Sequence, residues 1–228
     1  LVLGGQRALA ILPRARQNGA AVLYVHGYGE DQAAAITALD KRDVVAALLR
    51  AGYVVAGSDA HGRASWGNRA SVEDYLALVR WLHRRGLRRI VVLAQSMGGL
   101  AGLRIVDDVR PAAWIGIFPV CDLRALYELG EYAASIRAAF GGSFPHESHL
   151  SPVVPARLAG LPMLFFASPA DTEVPKATNT DACAAAYRAR GARVTVVPTA
   201  GRHGDPSSFQ PDRVLAFLGA AERAAAPY

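Results

Sequence analysis

Short runs of β-branched and aliphatic residues alternate along this chain with longer stretches in which apolar residues recur every three or four positions. Apolar runs bounded by turn-forming residues read as strands, and the recurrence near 3.6 residues reads as amphipathic helix. Strands are expected at residues 7–12, 21–26, 53–58, 89–95, 113–118, 163–167 and 193–197. Between them, Val72, Tyr75, Leu76, Val79 and Leu82 mark a helix opening at Ser71, whose S-x-x-D spacing to Asp74 has the form of a capping box. A second helix is expected over about 33–51, stopped by Gly52, and the last from near Ser207, with Phe209, Val214, Phe217 and Leu218 on its apolar face. Alternating strands and helices predict an α/β protein: a mostly parallel central sheet covered by helices on both faces.

With 228 residues, 52% of them hydrophobic, the chain can bury one sizeable core, so residues 1–228 are read as a single domain. No apolar run approaches the roughly 18 to 20 residues that span a bilayer, and no integral membrane segment is expected. The opening Leu1-Val2-Leu3-Gly4-Gly5 has no basic region ahead of an apolar core. No targeting segment is therefore read, and cytoplasm is favoured among the locations left open. The net charge of +6 could attract acidic partners. Arginine far outnumbers lysine, however, and the densest cluster, Arg84 to Arg89, ends a helix where cations are favoured, so nucleic acid is not expected as a partner.

The chemistry gathers at Ser96. In Ile90-Val91-Val92-Leu93-Ala94-Gln95-Ser96-Met97-Gly98-Gly99-Leu100 an apolar strand stops at a serine, and small residues then open a helix. A serine on such a sharp turn projects Oγ above the sheet, with the Met97 N–H aimed where an oxyanion would form. The pattern is A-x-S-x-G, with Ala94 where glycine is common. Earlier, Val22 to Val25 runs into His26-Gly27-Tyr28-Gly29, the expected source of a second oxyanion donor at the Tyr28 N–H. Asp171 follows the strand at 163–167, and His203 lies on a glycine-rich loop after the strand at 193–197. Asp122 also follows a strand and competes with Asp171 as the acid.

On these residues, in the order Ser96, Asp171, His203, the chain resembles the α/β-hydrolase superfamily over nearly its whole length. The resemblance implies a serine nucleophile, a histidine base and an aspartate orienting it, with acyl transfer as the reaction and a small-molecule ester or related acyl compound as substrate. Carboxylesterase leads, with thioesterase, lactonase and small peptidase sharing the triad; a non-catalytic binding protein of this fold is the alternative of another class. Insertions after the strand at 113–118 commonly form a cap in the superfamily. Residues 119–161, with Tyr127, Tyr132, Phe140 and breaks at Gly141-Gly142 and Pro145, are read either as a small cap or as a crossover helix and surface loop. His26 is expected to brace the oxyanion turn, Asp59 and His61 to form a structural turn, and Tyr28 and Trp66 to line the substrate cleft.

No cofactor is expected. Cys121 and Cys183 match no metal spacing, and Cys183 shares a helical face with Ala186 and Tyr187 as a small buried hydrophobe would. His146-Glu147-Ser148-His149 does not have the H-E-x-x-H spacing, and no third ligand stands out. Acyl chain, leaving group and oligomeric state are not fixed by these residues.

Overall fold

The computed structural model describes residues 1–145 and 150–225; the His146 to His149 segment lies outside them. Its strands are β1 (Val2–Leu3), β2 (Gln6–Ile11), β3 (Ala20–Val25), β4 (Val54–Ser58), β5 (Arg89–Gln95), β6 (Ala113–Ile117), β7 (Pro162–Ala167) and β8 (Arg193–Pro198). They form one 8-stranded sheet in the order β1-β2-β4-β3-β5-β6-β7-β8. β1 and β2 pair antiparallel at one edge, β2 also pairs antiparallel with β4, and every pairing from β4 to β8 is parallel. The expected α/β sheet is therefore present, with the two-residue β1 as an addition too short to show in the apolar pattern.

Parallel strands buried on both faces need apolar side chains at odd and even positions alike. β5 shows this directly: Ile90, Val92 and Ala94 enter one core, and Val91 and Leu93 enter the other. The first core lies beneath the helices Arg69–Arg84 and Gly98–Arg104, where Trp114 and Phe165 stack with ring centroids 5.0 Å apart. The second is covered by Arg42–Arg50 and Pro211–Ala225, with Val44, Leu48, Val214 and Leu218 buried against Tyr24, Ile115 and Phe166. Glu222 fastens the last helix to the rest, accepting from Tyr53 Oη at 2.6 Å and pairing with Arg89 at 3.0 Å.

Three helix boundaries differ from expectation. The 33–51 stretch is broken into a turn of helix at Ala34–Thr37, a 3-10 turn at Leu39–Lys41 and the helix Arg42–Arg50, because Ala38 takes an extended conformation between them. The Ser71 helix starts at Arg69, and its cap is Asn68: the Asn68 side chain accepts from the Ser71 N–H at 2.9 Å, so Ser71 is capped rather than capping. Ser207 lies in a 3-10 turn, Pro206–Ser208, and the last helix begins at Pro211. Cys121 and Cys183 are both buried and carry free thiols. No described helix is long and apolar enough to cross a membrane.

Candidate active site

β5 ends at Gln95, and the next residue, Ser96, has φ +48°, a left-handed conformation rare for a residue with a Cβ. Strain of this kind persists only where surrounding bonds over-determine it. Here the Ser96 N–H donates to Ile117 O at 3.1 Å, while its carbonyl accepts from Gly99 N at 2.9 Å and Val120 N at 2.8 Å. The following glycines are dictated by close approach. A Cβ at Gly98 would lie 2.6 Å from the His26 carbonyl oxygen, and one at Gly99 would lie 3.0 Å from the Val120 backbone nitrogen. The helix Gly98–Arg104 can thus begin against the ends of β3 and β6 only without side chains there.

Ser96 Oγ lies 2.9 Å from His203 Nε2, and His203 Nδ1 lies 2.7 Å from Asp171 Oδ2. Since a carboxylate only accepts, Nδ1 carries a proton, and in the neutral imidazole Nε2 is left to accept from the serine hydroxyl. Asp171 is 5% exposed, and its other oxygen accepts from the backbone N–H groups of Glu173 at 3.0 Å and Val174 at 2.9 Å. Ser168 joins the acid loop to the histidine loop by donating to Gly201 O at 2.7 Å. The competing carboxylate is occupied elsewhere: Asp122 caps the helix Leu123–Glu128, accepting from Ala125 N at 3.0 Å.

The loop after β3 runs beside the serine, close enough that a Cβ at Gly27 would sit 3.5 Å from Ser96 Cβ. His26 is 1% exposed; its Nδ1 meets Gly27 O at 2.9 Å and its Nε2 meets Asp59 O at 3.3 Å. Among the described residues, the Met97 and Tyr28 N–H groups have no hydrogen-bond acceptor. The Tyr28 side chain is 45% exposed and packs 5.4 Å from the ring of Trp66 and 5.2 Å from that of Tyr132.

Trp66 itself is 1% exposed, so it backs this cluster and presents no surface to a ligand, contrary to its expected place in the cleft lining. It is held by Ser135 Oγ, which accepts from Nε1 at 2.8 Å. His61, by contrast, is turned outward, paired with Asp74 at 3.2 Å. Phe118, Glu30 and Lys41 are neighbours of the site that the sequence did not single out, and Tyr132, named there only within the 119–161 stretch, is another. An open depression of about 540 Å³ lined by Arg110, Arg157 and Arg193 lies by Ala112, Pro162 and Arg193, at the strand ends opposite Ser96.

No protein-family model and no curated protein matches the sequence. Solved structures do match. An esterase of Pyrococcus furiosus superposes with a TM-score of 0.69 at 19% identity, over 94% of this chain and 91% of that one. The Xanthomonas campestris protein XC6422, described as an α/β serine hydrolase without lid, gives 0.64 at 16% identity over 100% and 94% of the two chains. An acylaminoacyl peptidase of Pyrococcus horikoshii gives 0.69 at 16% identity over 95% of this chain, which spans 39% of the peptidase. The chain has the α/β-hydrolase fold. In this α/β-hydrolase fold the hydrogen-bonded side chains come from three separate loops at one end of the sheet, after β5, β7 and β8. Their chain order, Ser then Asp then His, is the one associated with α/β-hydrolases.

Proposed function

We propose that the protein is a serine hydrolase that cleaves carboxylic esters through an acyl-enzyme. The observation that carries this reading is the continuous Ser96, His203, Asp171 relay at 2.9 and 2.7 Å, built on a strained serine. Ser96 Oγ adds to the ester carbonyl carbon as its proton passes to His203 Nε2. Negative charge then gathers on the carbonyl oxygen, where the Met97 and Tyr28 N–H groups can receive it. Collapse breaks the bond to the alcohol, which leaves with the Nε2 proton. Water repeats the sequence in reverse, losing its proton to Nε2, releasing the acid and restoring Ser96. Asp171 holds the ring in the required tautomer and stabilises the imidazolium between the steps.

In this reading the chain is one catalytic domain, and residues 119–161 serve as a small cap. Three contacts support the cap: Trp66 Nε1 to Ser135 Oγ at 2.8 Å, Asn68 Nδ2 to Ala139 O at 3.1 Å, and Tyr132 Oη to Glu173 Oε2 at 2.8 Å. They fix the helix Ala133–Ala139 beside the acid loop, with Tyr132 against the exposed Tyr28. The substrate is a small-molecule ester that meets Tyr28 on entering. The names of the structural neighbours, an esterase among them, agree with this class. Hydrolysis of a p-nitrophenyl ester series by the wild-type protein and Ser96→Ala tests it. The variant is expected to lose turnover while remaining folded, since one hydroxyl oxygen is removed; equal turnover would end the proposal.

A further inference from the structure

Behind the oxyanion loop lies a charge cluster that the relay does not use. Lys41 is 3% exposed, and its Nζ sits 2.5 Å from Glu30 Oε1 and 3.2 Å from Asp40. The other Glu30 oxygen, Oε2, accepts from the Gly27 N–H at 3.0 Å and lies 3.0 Å from Tyr24 Oη. Tyr24 Oη also lies 2.8 Å from Gln95 Oε1, and Gln95 precedes the serine. A buried ammonium left unpaired would be strongly destabilising, so Lys41 holds Glu30 in one place.

The consequence falls on a single peptide group. The Tyr28 N–H belongs to the same peptide plane as the Gly27 carbonyl, and the two point in opposite directions. That carbonyl is fixed by His26 Nδ1 at 2.9 Å and by the backbone N–H of Glu30 at 3.3 Å. The Gly27 N–H is fixed by the Glu30 carboxylate, and the Gly29 N–H by Arg63 O at 2.8 Å. The amides of residues 27, 29 and 30 are thus all engaged, while that of Tyr28 has no acceptor among the described residues.

We infer that Glu30 is a positioning residue for catalysis: held by Lys41, it clamps the turn at both its carboxylate and its backbone, so that the Tyr28 N–H faces the developing oxyanion at Ser96. The inference rests on the serine-hydrolase reading above. Its effect lies in the transition state, because the oxyanion is absent from the bound ester.

The test compares Glu30→Leu with Glu30→Gln, each in a Lys41→Met background so that no cation is buried alone. Glutamine keeps an acceptor for the Gly27 N–H; leucine does not. With a p-nitrophenyl ester, the leucine variant should lose about 100-fold in kcat with KM within about twofold, and the glutamine variant a smaller but measurable amount, between about 3-fold and 10-fold. An aryl trifluoromethyl ketone, which adds Ser96 Oγ to give a tetrahedral oxyanion, should lose affinity by the same factors. A role confined to folding would lower the melting temperature and leave both quantities per active site unchanged, which overturns the inference. So would a loss expressed mainly in KM, or equal losses in the two variants. Should the leucine variant not fold, the glutamine variant decides alone: kcat and ketone affinity must fall together, and wild-type values for either reject the inference. Ser96→Ala run alongside separates the two ideas: retained turnover there rejects the hydrolase reading, whereas lost turnover there with wild-type Glu30 variants rejects only the clamp.

Discussion

The ring of Phe118 meets the imidazole of His203 edge-on, with centroids 4.4 Å apart and planes inclined by 60°. Phe118 has φ +37°, its N–H donates to Phe166 O at 2.7 Å, and its far side packs against Phe209 at 5.6 Å. The histidine is therefore held by a buried wall as well as by Asp171. Phe118→Leu should cost about 1 kcal/mol of stability, as a near-conservative core change does. It should lower kcat roughly 10-fold or more by letting the imidazole tilt, since small misplacements of a positioned group are costly. Steady-state kinetics beside a thermal melt checks this; a stability loss with unchanged kcat would show that the wall serves packing alone.

The two aspartates should separate cleanly. Asp171→Asn is expected to lower kcat by about 10⁴, the scale of the analogous change in a serine protease, because an amide can favour the wrong histidine tautomer. Asp122→Ala should cost about 1 kcal/mol by uncapping the helix Leu123–Glu128, with kcat within a few-fold. Parallel kinetics on both proteins makes the comparison, and the reverse ranking would move the acid to Asp122.

Ala94 tests the crowding beneath the Ser96 turn. It is fully buried, and a Cβ at Gly102 in the facing helix would approach its Cβ to 3.0 Å. Ala94→Val should overpack this contact and cost roughly 1 to 3 kcal/mol. Ala94→Gly should keep activity within a few-fold. Melting temperatures and acylation rates of the pair report on it, and a valine variant as stable and fast as wild type would mean the helix is free to move away.

Acid stability has a local contributor in the loop after β3. The Asp31 carboxylate is held below its ordinary pKa by the Ala33 backbone N–H first, against an opposing effect of burial, and then by Arg63. The Ala33 N–H and Arg63 Nη2 each lie 2.9 Å from it. A depressed pKa means the bond stabilises the fold above the ordinary carboxylate value of 3.8 and is lost as pH falls through the lower folded value. Asp31→Ala should therefore melt below wild type at neutral pH, with the gap closing as the buffer is taken below 3.8. A gap independent of pH would assign the effect to packing.

Much of this architecture is written in local pattern. The sheet strands from β2 to β8 are apolar runs bounded by turn residues, and doubly covered parallel strands have no other way to look. Ser96 stands out because a strand, a serine and paired glycines each carry a separate requirement of the same turn. The Ala38 break was hidden in an alanine-rich stretch where the helical pattern continues through it. Asn68 is not legible as a cap because the first turn of its helix is polar and the apolar recurrence begins only at Val72. Nothing in the local pattern marks Glu30 or Lys41, since charged side chains are usually solvated. Lys41 is nevertheless buried, with the Phe209 ring centroid 5.8 Å from its Nζ although the two are far apart in sequence. Trp66 departs in the opposite direction: an aromatic near strand ends suggests a cleft lining, but Tyr28 and Tyr132 pack against it and it is buried.

The central claim is that Ser96 is an activated nucleophile, and active-site labelling addresses it without knowledge of the natural substrate. Wild-type protein incubated with a fluorophosphonate should gain one adduct per chain, mapped by peptide mass spectrometry to Ser96, with ester hydrolysis lost in step. His203→Ala should label far more slowly, because Oγ then has no base. Labelling at another residue, or a protein that resists the probe while hydrolysing esters, would contradict the account.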